Sequence, residues 1–241
     1  MKKSKVLVMT LCAVLLVATT VLGTMAYLTD RESVTNTFTV GQVDITVDEA
    51  DVNVNGQPTK NGAVVEIKDV KDSELLTYER WQPTTGDTEQ KYHLIPGQTY
   101  IKDPTMTVVK GSEEAYVRMM VTVTFNEALT DEQLATDLDG IFTGYDAANW
   151  PRHDKTVADD KMSITYEYRY KTTVNTKDAS ANMPLEPLFT RIAIPGAMDN
   201  ETIAVLGGMT ITVTGHAIQA ATFDTADDAW KAFGDQMNAN P

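Results

Sequence analysis

An all-β sandwich carrying two short helices is the fold class this sequence predicts, and three observations point to it. Apolar and polar residues alternate with a period of two through most of the body. Turn-forming residues punctuate those runs, and no βα unit repeats between them. About nine or ten such runs, each apolar on one face, suit antiparallel sheets packed face to face in a jelly-roll-like order.

The chain opens differently. Lys2, Lys3 and Lys5 precede an uncharged stretch from Val6 to Met25, and the first acid is Asp30. A basic segment followed by an apolar one is the pattern of an export leader. Gly23-Thr24-Met25-Ala26 then places small residues at the −3 and −1 positions of a cut between Ala26 and Tyr27. The competing reading is a retained anchor, since roughly 20 apolar residues can span a bilayer. Thr10, Thr19, Thr20 and the small-residue end point instead to a cleaved signal peptide over 1–26. Leu11 before Cys12 does not suit a lipoprotein junction. The membrane is therefore expected to hold the chain only before cleavage, and the mature protein to be secreted, in the matrix or at the cell surface.

Next comes an arm over 27–42, ahead of a β-sandwich domain expected over 43–241. Short strand candidates follow at 43–48, 64–68, 91–95 and 105–109, with turn-rich stretches at 53–60 and 82–89, the latter read as a mobile hairpin tip. In 115–125, Val117, Met119, Val121, Val123 and Phe125 alternate with Arg118, Thr122 and Thr124. Thr130 and Gln133 form a capping box for a helix over 131–138 that Gly140 ends. Residues 143–161 read as a long surface loop. Strands are expected again at 163–171, where Ile164, Tyr166, Tyr168 and Tyr170 share a face, at 188–194, and at 209–217. Thr225 caps a last helix over 226–237, with Asp227 and Asp228 at its positive end and Trp230 and Phe233 on one face.

Composition narrows the function. The 241 residues are 42% hydrophobic, and 20 Lys and Arg against 34 Asp and Glu leave a net charge of −14. Losing 1–26 removes three lysines and no acid, deepening the charge to −17. So acidic a chain repels phosphate backbones and anionic headgroups, which argues against nucleic-acid or membrane-surface partners. Cys12, the one cysteine, leaves with the leader, so disulfides, thiolate catalysis and Cys-ligated zinc are not expected in the mature chain.

The junction Ala26-Tyr27-Leu28-Thr29-Asp30, followed by Ser33-Val34-Thr35-Asn36-Thr37-Phe38-Thr39-Val40-Gly41-Gln42-Val43-Asp44-Ile45, resembles the start of TasA/camelysin family proteins. Leu94-Ile95-Pro96-Gly97, Lys102-Asp103-Pro104, Ala115-Tyr116-Val117-Arg118, Ala217-Ile218-Gln219-Ala220 and Phe223-Asp224-Thr225-Ala226 also look like segments of that family. The resemblance implies a Gram-positive exported protein with a jelly-roll fold, trimmed by a SipW-type signal peptidase, whose subunits self-assemble into biofilm-matrix or surface fibres. It further implies donation of the N-terminal strand to a neighbouring subunit, in which Val34, Asn36, Phe38 and Val40 would alternate with Thr35, Thr37 and Thr39. An added strand gains main-chain hydrogen bonds while alternate side chains fill pockets. The other reading stays open at this level: residues 34–47 form the first strands of the subunit's own sandwich.

Camelysin-type relatives carry a metalloprotease label, but His93, His153 and His216 are widely separated and none sits in His-Glu-x-x-His. The polar alternation around His216 and the loop around His153 predict solvent-facing histidines. No catalytic residue, metal ligand or cofactor site is assigned, and no cofactor is expected. Glu113-Glu114 and Asp159-Asp160 read as solvated turns, and Asp137-Leu138-Asp139-Gly140 as a helix end rather than a calcium loop. Trp81, Trp150 and the Tyr166, Tyr168 and Tyr170 stripe are core or contact aromatics. A non-enzymatic fibre subunit is thus the leading expectation, a monomeric surface-binding module for protein or glycan the second, and a metalloprotease the third.

Overall fold

The computed structural model describes residues 29–32, 43–81, 90–135, 138–196, 206 and 208–239. Period-two alternation becomes a central pair of long strands, Ala115–Thr124 (β7) and Thr210–Gln219 (β13), joined antiparallel over ten residue pairs. Thirteen strands run in chain order among the described residues. The first six are Thr29–Glu32 (β1), Ile45–Asp48 (β2), Thr59–Lys60 (β3), Ala63–Val64 (β4), Thr99–Ile101 (β5) and Thr105–Val108 (β6). After β7 come Phe142–Thr143 (β8), Arg152–Val157 (β9), Ser163–Arg169 (β10), Met183–Pro184 (β11) and Arg191–Ala193 (β12), with β13 last. Every pairing is antiparallel, as expected.

One sheet has the order β1-β13-β7-β10-β9; two three-stranded sheets have the orders β11-β6-β2 and β5-β12-β8, and β3 pairs with β4. On β7, Ala115, Val117, Met119, Val121 and Val123 are buried while the residues between them are half-buried or exposed. Ile164, Tyr166 and Tyr168 of β10 join that face, and Ile45, Met106 and Val108 of β2 and β6 complete the same hydrophobic core. At Gly215 the approach is closest: a Cβ there would meet Val47 Cγ2 at 2.5 Å and Met106 Cε at 2.9 Å. Only the missing side chain lets β2 and β6 lie this near to β13.

The two helices form as their caps dictate. Gln133 N–H donates to Thr130 Oγ1 at 3.2 Å and Thr130 N–H to Gln133 Oε1 at 2.8 Å, a closed capping box ahead of Asp131–Ala135 (α1). A 3-10 turn, Leu138–Ile141, follows. Thr225 Oγ1 accepts Asp228 N–H at 3.2 Å and starts Ala226–Ala239 (α2).

Several expectations need correction. The stretch 143–161 contains β9, whose exposed, charged residues carry no apolar alternation because it is the outermost strand. Residues 91–95 form no strand, and 64–68 form the end of β4 and the start of a 3-10 turn, Ile67–Asp69. The hairpin tip at 82–89 lies outside the described residues.

Candidate functional site

The five-stranded sheet has two unlike edges. At one edge β1 lies along β13, with Thr29 opposite Ile218, Asp30 opposite Ala217, Arg31 opposite His216 and Glu32 opposite Gly215. Among the described residues, no strand flanks 210–214 on that side. The opposite edge is β9, reading Arg-His-Asp-Lys-Thr-Val and exposed at nearly every position. Its register against β10 slips at a bulge between Glu167 and Tyr168. Charged side chains and a bulge are the devices that keep an edge from pairing with another chain. The edges therefore differ: one is guarded, and the other is the short β1, which covers β13 only over 215–218.

Of the residues singled out from the sequence, Ala26 and Tyr27 at the junction, and Val34, Asn36, Phe38 and Val40 in the arm, lie outside the described residues. The described part of the arm, Thr29–Glu32, pairs within its own chain.

The outer face of the sheet is closed at one end by α2. Ile218, Ala229, Trp230 and Phe233 are buried together, with Tyr116, Phe223, Ala226 and Met237 packed around them. The Arg118 guanidinium lies 4.4 Å from the Trp230 ring centroid and 5.0 Å from that of Phe233. It donates to His216 Nδ1 at 3.1 Å and pairs with Glu167 at 3.2 Å. Glu167 also takes Arg169 Nε at 2.6 Å, and Arg169 reaches Asp227 on the helix. His216, expected to face solvent, is buried under α2 with its ring centroid 4.8 Å from that of Phe233. The threonines around it concealed this, because the cover comes from another element.

A second polar cluster lies where β2 ends. Asp103 is wholly buried; it accepts Ala50 N–H at 2.7 Å and the Arg80 guanidinium at 2.6 Å, and Arg80 also reaches Asp48 at 2.7 Å. Burial pushes the Asp103 carboxyl up to about 6, against the opposing pull of Arg80 and the Ala50 N–H. Lys102 pairs with Glu49 at 2.6 Å beside it. Sequence reasoning missed this cluster because its partners stand 23 to 53 residues apart, beyond any local pattern.

The remaining aromatics pack inward. Trp150, expected in a surface loop, is wholly buried; its indole N–H donates to the Glu186 carbonyl at 2.8 Å and its ring meets Tyr170 at 4.9 Å. Tyr166 and Tyr168 belong to the main core. His93 lies in the loop before β5 and His153 on β9, both exposed, while His216 is buried on β13 with β7 and β10 standing between it and β9. Among the described residues no three His, Cys, Asp or Glu side chains come together as a metal site. No described helix is long and apolar enough to cross a membrane.

The sequence model of the camelysin metallo-endopeptidase family matches residues 1–79, which include the apolar N-terminal stretch, the Ala26-Tyr27 pair and Thr29–Glu32. The resemblance to the TasA/camelysin family is thereby shown over that third of the chain. No curated protein and no solved structure matches the chain. The peptidase title of that family implies a metal, and the three histidines do not fit one: they occupy separate elements, two in solvent and one beneath α2.

Proposed function

We propose that this chain is an exported, non-enzymatic structural protein whose subunits assemble into matrix or cell-surface fibres by exchanging the N-terminal strand. In this reading the leader 1–26 is removed between Ala26 and Tyr27 by a SipW-type peptidase, and the partner is a second copy of the chain. The body 43–241 is taken as a jelly-roll-like sandwich, on the strength of antiparallel sheets sharing one core.

The observation that carries the reading is the pairing of Thr29–Glu32 with the β13 edge. A four-residue strand at the rim of a sheet, beginning three residues after the junction, is the piece a neighbour can replace at small cost. Exchange substitutes the same main-chain hydrogen bonds from another copy, as in domain swapping. The family match over 1–79 covers this segment, and the charged, bulged β9 edge leaves β13 as the edge suited to exchange. The binding-module reading loses support because Trp150, Tyr166 and Tyr168, which it would use, are buried.

Sedimentation tests this. A chain beginning at Tyr27 should form large species and one beginning at Gln42 should remain monomeric. Monomers in both cases would favour the binding module. Phe38→Asp in the longer chain should weaken assembly while the subunit stays folded.

A further inference from the structure

Next in sequence to the buried Asp103, Lys102 shares the Glu49 carboxylate with the Gln90 side-chain amide. Glu49 bridges two nitrogens: Oε2 holds Lys102 Nζ at 2.6 Å, and Oε1 accepts from Gln90 Nε2 at 2.8 Å. The Gln90 amide is fixed in orientation, because Nε2 also donates to the Ala50 carbonyl at 3.1 Å and Oε1 accepts Val52 N–H at 2.8 Å. The site is withdrawn from water, with the Lys102 side chain 7% and the Glu49 side chain 14% exposed. Ile101 is wholly buried next to it, and the Tyr92 ring centroid lies 5.8 Å from Lys102 Nζ. The neighbouring charges are engaged elsewhere: Arg80 pairs with Asp48 and Asp103, leaving Glu49 to Lys102.

We infer that Lys102 and Gln90 form an intramolecular isopeptide bond, with Glu49 moving the protons and the Val52 N–H stabilising the oxyanion. The roles follow from what acyl transfer requires: a nucleophile, an acid–base group touching both nucleophile and leaving group, and a donor on the carbonyl oxygen. Glu49 takes a proton from the Lys102 ammonium, and the freed amine attacks the Gln90 side-chain carbonyl carbon. Negative charge collects on Gln90 Oε1, which already accepts the Val52 N–H. Glu49 then returns its proton to the amide nitrogen, the C–N bond breaks, and ammonia leaves. The attacking nitrogen gives its surplus proton to Glu49, and one amide has replaced another with no change of oxidation state. Burial strengthens each electrostatic contribution and keeps water from competing for the carbonyl. The bond ties the start of the 90–102 segment to its end, against the 49–52 strip. It would staple a chain whose one cysteine, Cys12, lies outside the described residues.

Mass spectrometry of the folded chain beginning at Tyr27 tests the bond. The intact protein should be lighter than its sequence by the mass of one ammonia molecule. After trypsin, peptide 81–91 should be found joined to peptide 92–110 through Gln90 and Lys102, with no cleavage at Lys102. Lys102→Arg and Glu49→Gln should each restore the full mass and release separate peptides. The peptide map is decisive, since an Asn-Gly pair such as Asn61-Gly62 can also lose ammonia without linking anything. Recovery of separate, unmodified Gln90 and Lys102 peptides from folded wild-type protein after prolonged incubation would overturn the inference and leave an ion pair only.

Discussion

The guanidinium of Arg118, on the middle strand of the five-stranded sheet, stacks over the indole of Trp230 on α2, 4.4 Å from its centroid. This contact joins the sheet to the last helix, and Glu167, Arg169 and Asp227 extend it as a chain of ion pairs along one side. A cation held over an aromatic face and withdrawn from water is worth more than an exposed one. The helix is thus held by a buried aromatic pair and by charge together.

Trp230→Ala should destabilise the folded chain by about 3–5 kcal/mol, the range for removing a large buried aromatic. Urea denaturation followed by circular dichroism measures it. An unchanged midpoint would mean that α2 does not cover Ile218 and His216 in solution.

Asp103 supplies a pH-dependent prediction. Its carboxyl is raised to about 6 in the folded chain, against an ordinary value of 3.8. The folded state therefore holds the proton more tightly than the unfolded one. Its contribution is fully present below about pH 4 and is lost as pH rises through about 6, amounting to about 3 kcal/mol. Asp103→Asn should remove that dependence, so the stability difference between wild type and variant should change across pH 4–7. A constant difference over that range would contradict the buried-carboxyl account.

Gly215 sets the distance between β13 and the β2–β6 sheet. Gly215→Ala should cost about 1–3 kcal/mol, because the added methyl must displace Val47 and Met106 from a packed interior. Thermal unfolding reads the effect directly, and a stabilised variant would show that the sheets are less closely apposed.

Much of this architecture was legible in the residues, for identifiable reasons. β7 and β10 have one buried face each, and the first half of β13 alternates in the same way, so the alternation reports strand and orientation together. Thr130, Gln133 and Thr225 mark helix starts through bonds that span three residues, within reach of a local pattern. What escaped was long-range or outermost. β9 reads as loop because it has no core face to fill, and Trp150 reads as exposed because its partners, Glu186 and Tyr170, are distant in sequence. His216 sits among threonines, and only α2, arriving later in the chain, takes it out of water. The clusters around Asp103 and Glu49 join segments up to 53 residues apart and leave no periodic trace.

Strand exchange requires that Thr29–Glu32 complete the β13 edge of another copy once residues 1–26 are removed. Asp30 stands directly opposite Ala217, a pairing that two cysteines can report. The background is clean, because a chain beginning at Tyr27 contains no cysteine. Copies carrying Asp30→Cys and copies carrying Ala217→Cys, separately tagged, should be mixed, assembled and oxidised. Strand exchange should give a disulfide joining the two tags. A bond that forms only within single chains carrying both cysteines, and never between copies in assembled material, would contradict it.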